Sequence, residues 1–225
     1  MRSAALATHV DSTEASLESL LRDDLAEAGR ALRVKHSSAR GLLVIISAPS
    51  GSGKTTLCKR LIEDNSTLVH SISATTRRPR PGETDGVDYH FISKGDFERM
   101  AAGKEFLEYE ENFGNLYGTP KAFIEDSLEK GKSVLLSIDV KGAMKVKRAY
   151  PKESVMIFIL PPSLKALRQR LKRRQADGAK TIADRLKLAK NELAHKERYD
   201  YQIVNDRLTG AYKRLKAIII KEMES

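Results

Sequence analysis

One stretch near position 50 constrains this chain more than any other. Leu42-Leu43-Val44-Ile45-Ile46 is a continuous apolar run of strand length, closely followed by Ala48-Pro49-Ser50-Gly51-Ser52-Gly53-Lys54-Thr55. Over residues 55–65 the pattern turns helical, with Leu57, Leu61 and Ile62 on the inward face. Strand, glycine-rich turn and helix in that order open an α/β unit. A strand that is apolar throughout, rather than alternating, suits a parallel sheet covered on both faces. Residues 133–138 and 155–160 repeat that character. Helical periodicity over 122–130, 141–149, 164–174, 182–199 and 210–223 supplies the covering layers. The expected fold class is therefore α/β, in three layers around a parallel core sheet.

The turn matches G-x-x-x-x-G-K-[ST] everywhere but its first position, where Ala48 stands. Small residues let successive backbone N–H groups close around a phosphate, and the helix that follows adds the positive end of its dipole. Lys54 supplies a mobile charge for the outer phosphates, and the Thr55 hydroxyl can ligate Mg²⁺. Thr56 completes the candidate triphosphate site. The bland alternative is an ordinary glycine-rich βα turn; the strand before and the helix after favour the cradle.

Residues 72–120 read differently. They hold turn signals at Pro79, Pro81-Gly82 and Asp85-Gly86, and are expected to form short strands and turns inserted between the first helix and the next core strand. Ser73-Ala74-Thr75-Thr76-Arg77-Arg78-Pro79-Arg80 packs three arginines and three hydroxyls into eight residues. Guanidinium forks match phosphate oxygens, and the prolines stiffen the loop that carries them. Tyr89 and Tyr117 are candidate phosphate donors or base platforms, or else tyrosines that merely pack the insertion. Glu108, within Phe106-Leu107-Glu108-Tyr109, is an acid among apolar neighbours. A carboxylate there can accept from both N1–H and the N2 amine of guanine; adenine has no such pair.

Composition removes several classes. A chain of 225 residues can bury a core without staples, and its one cysteine, Cys58, excludes an internal disulfide framework and a multi-cysteine zinc site. A reducing cytoplasm is the simplest home. The N-terminus lacks a basic start followed by an apolar segment, so no signal peptide is expected, and no apolar run approaches a membrane span. The formal net charge is +10, and residues 161–225 carry 17 basic against 8 acidic side chains. Such an excess suits phosphorylated ligands, nucleic acid or a solvated helix face equally well. Residues 1–39 read as an appendage, with Leu17, Leu20, Leu21, Leu25 and Leu32 at helical spacing. They are either a docking or dimer helix or a loosely packed extension.

With these residues in view, the chain from about Gly41 to Lys221 resembles guanylate kinase, the P-loop nucleoside monophosphate kinase that makes GDP from GMP and ATP. The resemblance rests on APSGSGKT, SATTRRPRPGETDGVDYHF, EFLEYEENFGNLYGTP, SIDVKGA, PPS before a basic helix, and YDYQIVND. It implies a three-layer P-loop kinase fold with a parallel core sheet, an inserted α+β GMP-binding part over 72–120 and a helical lid over 164–185. The core would comprise 40–71, 121–163 and 186–225. By resemblance, Ser73, Arg77, Arg80 and Tyr89, helped by Tyr117, hold the GMP phosphate. Glu108 and Thr119 read the guanine edge, and Asp139 lies near the guanine and the catalytic centre. Lys54, Arg77, Arg174 and Arg185 act on the transferring group, Asn205 lies by the adenine of ATP, and Mg²⁺ is the cofactor. In one departure, the strand end reads Ser137-Ile138-Asp139 where the family usually has Asp-Ile-Asp, which bears on metal affinity or turnover. The implied partners are ATP and GMP, with no nucleic acid and no membrane; a homo-oligomer is compatible with the sequence. A partner-binding scaffold would be expected to have lost Lys54 and Thr55, and a kinase of ribose bisphosphates would lack Glu108 and Thr119.

Overall fold

A computed structural model describes residues 41–173 and 179–224. The expected N-terminal extension and Arg174 lie outside the described residues. In chain order, β1 (Leu43–Ser47) leads through the glycine-rich turn into α1 (Lys54–Glu63), followed by β2 (Leu68–His70). The insertion then contributes β3 (Ala74–Thr75), β4 (His90–Phe91), α2 (Lys94–Ala102), β5 (Phe106–Asn112) and β6 (Asn115–Pro120). The remainder is α3 (Lys121–Glu129), β7 (Ser133–Ser137), α4 (Val140–Ala149), β8 (Ser154–Leu160), α5 (Leu164–Arg173), α6 (Ala179–Leu193), β9 (Tyr201–Val204) and α7 (Leu208–Met223).

The core sheet has the order β2-β7-β1-β8-β9 and is parallel throughout. In it β1 is central, with Ile45 opposite Leu136 on one side and Met156 on the other. The continuous apolar runs now have their reason. Val44, Ile46, Leu135, Ile157 and Ile159 pack on one face against Leu57 and Leu61 of α1 and Leu215 and Ile219 of α7. On the opposite face, Leu43, Ile45, Val134, Leu136 and Phe158 meet Ile124 and Leu128 of α3 and Val140, Ala143 and Val146 of α4. Two covered faces leave polar residues only at the ends of these strands, at Ser47, Ser133, Ser137 and Ser154.

The second sheet, in the order β4-β3-β6-β5, belongs to the insertion and has its own small core. Ala74, Phe97 and Phe106 are buried there, and the two phenylalanine rings stack with centroids 4.4 Å apart. Phe97 comes from α2, a helix that the residue pattern, read as short strands and turns, did not show, although the family resemblance implied an α+β insertion. Its nine residues include Gly95 and offer few apolar positions, so periodicity alone was too thin a signal. It is started by Ser93, whose hydroxyl accepts from the Asp96 N–H at 3.0 Å.

Two further elements differ from expectation. The helix expected over 182–199 ends at Leu193, and residues Lys196–Arg198 form a single 3₁₀ turn. Tyr199 then leaves helical geometry to pack edge-on against Phe158, 4.9 Å between centroids, which aligns β9 for pairing with β8. The short strands β2 and β9 carry too few residues for a periodic signal.

The insertion's dependence on one ring is testable. Phe97 is 1% exposed, so Phe97→Ala should destabilise this part by about 3–5 kcal/mol. In native-state hydrogen exchange, the amides of β5 and β6 should lose protection while those of β1 keep theirs; equal loss everywhere would show that the two sheets unfold as one unit.

Candidate active site

The carboxyl ends of three core strands, β1, β7 and β9, converge on the glycine-rich turn. This is where ligands sit in open parallel sheets, at the point where strand order reverses. β1 delivers the turn itself, Ala48 to Thr55. Gly51 and Gly53 hold φ of 93° and 92°, the left-handed geometry that bends the chain back before α1 begins. Ser52 N donates to the Pro49 carbonyl at 3.0 Å, closing the turn. The N-terminus of α1 has no side-chain cap and no acid in its first turn. Its orphan N–H groups and dipole therefore suit an anion. Among the described residues, Ser52 Oγ is buried without a protein partner, a further polar atom in the turn. Thr55 and Thr56 are exposed at the mouth.

β7 delivers the next group. Lys54 Nζ donates to the Ile138 carbonyl at 3.1 Å, just past the end of β7. Burial lowers the pKa of this ammonium, opposed mainly by the neighbouring Cys58 and Asp139. Ser137 makes a side-chain hydrogen bond with Cys58, whose thiol burial pushes up to about 11. β9 delivers Asn205, expected beside an adenine. It is 4% exposed, and its Nδ2 donates to the Ser52 carbonyl at 2.8 Å, bracing the turn from behind. Arg170, a residue the sequence did not single out, donates to the Asn205 carbonyl at 3.0 Å.

The insertion faces this centre with one side of the β5–β6 hairpin. Glu108 pairs with Thr119 and Glu110 with Tyr117, so these four share a face. A bulge between Phe106 and Glu108 produces the arrangement. Without it Phe106 and Glu108 would point the same way; with it Phe106 joins Tyr109 against Phe97, and Glu108 turns to the core. Glu108 is 7% exposed and accepts from Thr119 Oγ1 at 2.5 Å. Burial drives its pKa up to about 7; the Thr119 bond pulls it down and the Asp139 charge pushes it up. Asp139 caps α4 by accepting from the Gly142 N–H at 2.8 Å, and it also accepts from Asn112 Nδ2 at 2.6 Å.

Of the expected GMP-phosphate ligands, Arg80 lines a cleft of about 780 Å³ together with Thr55, Thr56, Glu83, Asp88 and Arg185, whereas Ser73, Arg77, Tyr89 and Tyr117 are not among its lining residues. Arg80 is exposed there. Arg77 is held: its two terminal nitrogens donate to the two oxygens of Glu83 at 2.9 and 3.0 Å. Its guanidinium lies 5.4 Å from the Tyr89 ring centre, and Tyr89 stands edge-on to Tyr117 at 6.0 Å. Ser73 is partly exposed at the start of β3, its carbonyl accepting from His90 N at 2.9 Å. Lys59 of α1 and Asp88 of the insertion form an ion pair at 2.7 Å across the cleft.

Two acids escaped the sequence reading. Glu83 is the fixed counter-ion of Arg77. Glu192 of α6 is partly buried and sensed by both Lys54 and Asp139; burial carries its pKa to about 7, the Lys54 charge holding it down. Its position three residues past Ala189 and next to Leu193, both buried, was the available signal.

The chain is similar to several known proteins. A family model described as guanylate kinase matches residues 40–222. Among curated relatives, a guanylate kinase of Clostridium perfringens is 46% identical over 187 residues, covering 83% of this chain and 86% of its own. A guanylate kinase of Caulobacter vibrioides is 51% identical over 180 residues, covering 80% and 84%. The crystal structure of guanylate kinase from Anaplasma phagocytophilum superimposes with a TM-score of 0.72 at 37% identity, covering 84% of this chain and 89% of that one.

The buried carboxyl of Glu108 carries a cost in stability that depends on pH. Its folded pKa, about 7, lies above the ordinary 4.5, so the folded state binds the extra proton and stability falls as pH rises between those values. Glu108→Gln should therefore melt at a higher temperature than the wild type at pH 8, by up to roughly 3 kcal/mol of stability, with the advantage shrinking towards pH 4.5. Thermal melts of both proteins across that range check it; a pH-independent difference would place the proton elsewhere.

Proposed function

We propose a division of labour among the residues of this chain, which belongs to the guanylate kinase family and transfers a phosphoryl group from ATP to GMP. The observation that carries the residue-level reading is the Glu108–Thr119 pair, buried on the face of the insertion that meets the core. An ionised Glu108 accepts from N1–H and the N2 amine of guanine, and Thr119 adds a hydroxyl. Guanine's donors favour the charged form, so binding itself ionises a carboxyl poised near neutrality.

The cradle from Ala48 to Thr56 takes the ATP phosphates on backbone N–H groups, and Asn205 keeps it in shape. Lys54 exchanges its bond to the Ile138 carbonyl for phosphate oxygen and neutralises charge on the transferring group. Its lowered pKa reflects burial that phosphate would offset. Arg80 and Arg185 flank the cleft in which that group travels, and Ser73, Tyr89, Tyr117 and the Glu83-held Arg77 surround the GMP phosphate. Arg174 and Arg185 are assigned to the lid. The acceptor oxygen is already largely ionised at pH 7, so no general base is required; the work is alignment and charge neutralisation. The proposed parts are a core of 40–71, 121–163 and 186–225, a GMP-binding part of 72–120 and a lid of 164–185. Residue 185 lies within α6, which runs unbroken into the core.

The residues also fit Mg²⁺ delivered with the nucleotide. Thr55 offers one hard oxygen at the cradle's end, and among the described residues no group of three or more acids, histidines and cysteines forms a cage of its own. Mg²⁺ keeps few protein ligands, so Thr55 would help hold it beside the nucleotide, where it would neutralise phosphate charge. Among the described residues no helix is long and apolar enough to cross a membrane. We place the reaction in the cytoplasm, consistent with the free, buried Cys58.

ATP-dependent ADP formation with GMP, AMP, CMP and UMP in turn tests the assignment. GMP should be preferred over AMP by ~10⁴-fold in kcat/KM, because adenine leaves the Glu108 carboxylate unpaired. Glu108→Gln should lose GMP efficiency with ATP affinity intact, whereas comparable GMP and AMP rates in the wild type would refute the role of Glu108. Lys54→Ala should lower turnover ~10²-fold or more in a folded protein; near-normal turnover would remove Lys54 from the mechanism.

A further inference from the structure

We propose that Gly142, the third residue of α4, is a specificity-determining position: its missing side chain is what lets the Glu108 carboxylate stand where it reads guanine. This inference rests on the reading of Glu108 given above. Gly142 has ordinary helical geometry and is not among the glycines with positive φ. Backbone freedom therefore does not require a glycine here, and in a helix alanine is the better former. Space does require it. A Cβ at this position would lie 2.5 Å from Glu108 Oε2, 2.8 Å from Cδ and 3.3 Å from Oε1. The first two distances are below any real carbon contact, so one partner has to move.

The carboxylate has little room to move. On its other side Thr119 Oγ1 donates to Oε1 at 2.5 Å. The strand beneath it is tied to α4 at three points. Lys145 Nζ donates to the Tyr109 carbonyl at 2.9 Å and pairs with Glu110 at 2.6 Å, and Asn112 Nδ2 donates to Asp139 at 2.6 Å. Gly142 N itself is committed to the Asp139 cap at 2.8 Å. Helix and strand therefore cannot separate without breaking several polar bonds. A methyl at 142 instead turns the carboxylate about its side-chain bonds. Its two acceptor directions then no longer match two adjacent donors, while the ATP side of the site is untouched.

The full-length Gly142→Ala protein should show a GMP KM raised ~10- to 100-fold with the ATP KM unchanged, the scale expected of a misplacement near 1 Å. Its GMP-over-AMP preference should fall by a similar factor. Glu108→Asp withdraws the carboxylate by one methylene, so Gly142→Ala/Glu108→Asp should lose less than the two single variants combined. Glu108→Gln, assayed alongside, separates the two layers of the argument. If it impairs GMP use while Gly142→Ala leaves GMP KM and base preference unchanged, the role of Gly142 is overturned and that of Glu108 stands. If Glu108→Gln is itself silent, the underlying reading falls. Equal losses towards GMP and ATP in Gly142→Ala would show a general packing defect and overturn the proposal. Should Gly142→Ala fail to fold, the double variant with Glu108→Asp carries the test. Its folding with partial GMP selectivity supports the clash, and its failure to fold overturns it.

Discussion

A loop that aims its backbone N–H groups at a ligand cannot use those groups to hold itself together, and the rest of this structure follows from that constraint. The turn from Ala48 to Thr55 makes only one short internal bond, from Ser52 N to the Pro49 carbonyl. Its shape is held from outside. β1 anchors it from the centre of a sheet buried on both faces, Asn205 ties the Ser52 carbonyl from the end of β9, and α5 lays Leu167 and Leu171 against Gly51. A Cβ at Gly51 would come within 3.2 Å of both leucines, so the close approach is as demanding as the positive φ. The helices of the proposed lid are thus also part of the wall that keeps the cradle in form.

The second constraint is the seam between the insertion and the core. Phosphoryl transfer needs two anions brought into line, and the parts proposed to bind them belong to different sheets. The seam is built where β5 meets α4: Asp139 caps the helix and accepts from Asn112, while Lys145 reaches back to the Tyr109 carbonyl and to Glu110. Across the cleft, Lys59 and Asp88 form a second tie that is partly solvent-exposed. The Lys145–Glu110 and Lys59–Asp88 pairs are similarly exposed and so contribute a fraction of a kcal/mol each, screened by salt; the seam at β5 and α4 adds the part-buried bonds to Asp139 from Asn112 and Gly142.

Charge is distributed with the same economy. Lys54, Glu108, Asp139 and Glu192 lie within one another's fields, and burial shifts the lysine down and two of the acids up. Each shift measures a group kept poorly solvated before substrate arrives. A folded protein tolerates such groups where their ligands later offset the cost, which is why perturbed ionisation gathers at functional sites. The Arg77–Glu83 pair is the counter-example: a half-buried guanidinium oriented by an internal carboxylate on its two terminal nitrogens, while its Nε has no protein partner among the described residues.

By itself the sequence determined the layers and the cradle. Apolar runs with no polar interruption admit only a doubly covered parallel sheet, and the spacing of Gly51, Gly53, Lys54 and Thr55 is local chemistry readable in one dimension. Glu108 was legible as an acid among apolar neighbours, and the arginines of 77–80 as a cluster. Other features were decided only by the tertiary structure, because they depend on which residues meet across long separations. The bulge that turns Glu108 away from Phe106 exists only once β5 pairs with β6. Asn205 is a brace because it meets Ser52 across 153 positions. Glu83 faces Arg77 through a turn whose register no periodicity reports, and Glu192 becomes a site acid only because the packing of α6 brings it near Lys54 and Asp139. Gly142 looked like any small residue in a helix until Glu108 was folded against it. Local sequence encodes conformational preference, but the close contact between β5 and α4, and with it the room for a carboxylate, is a property of the packed chain.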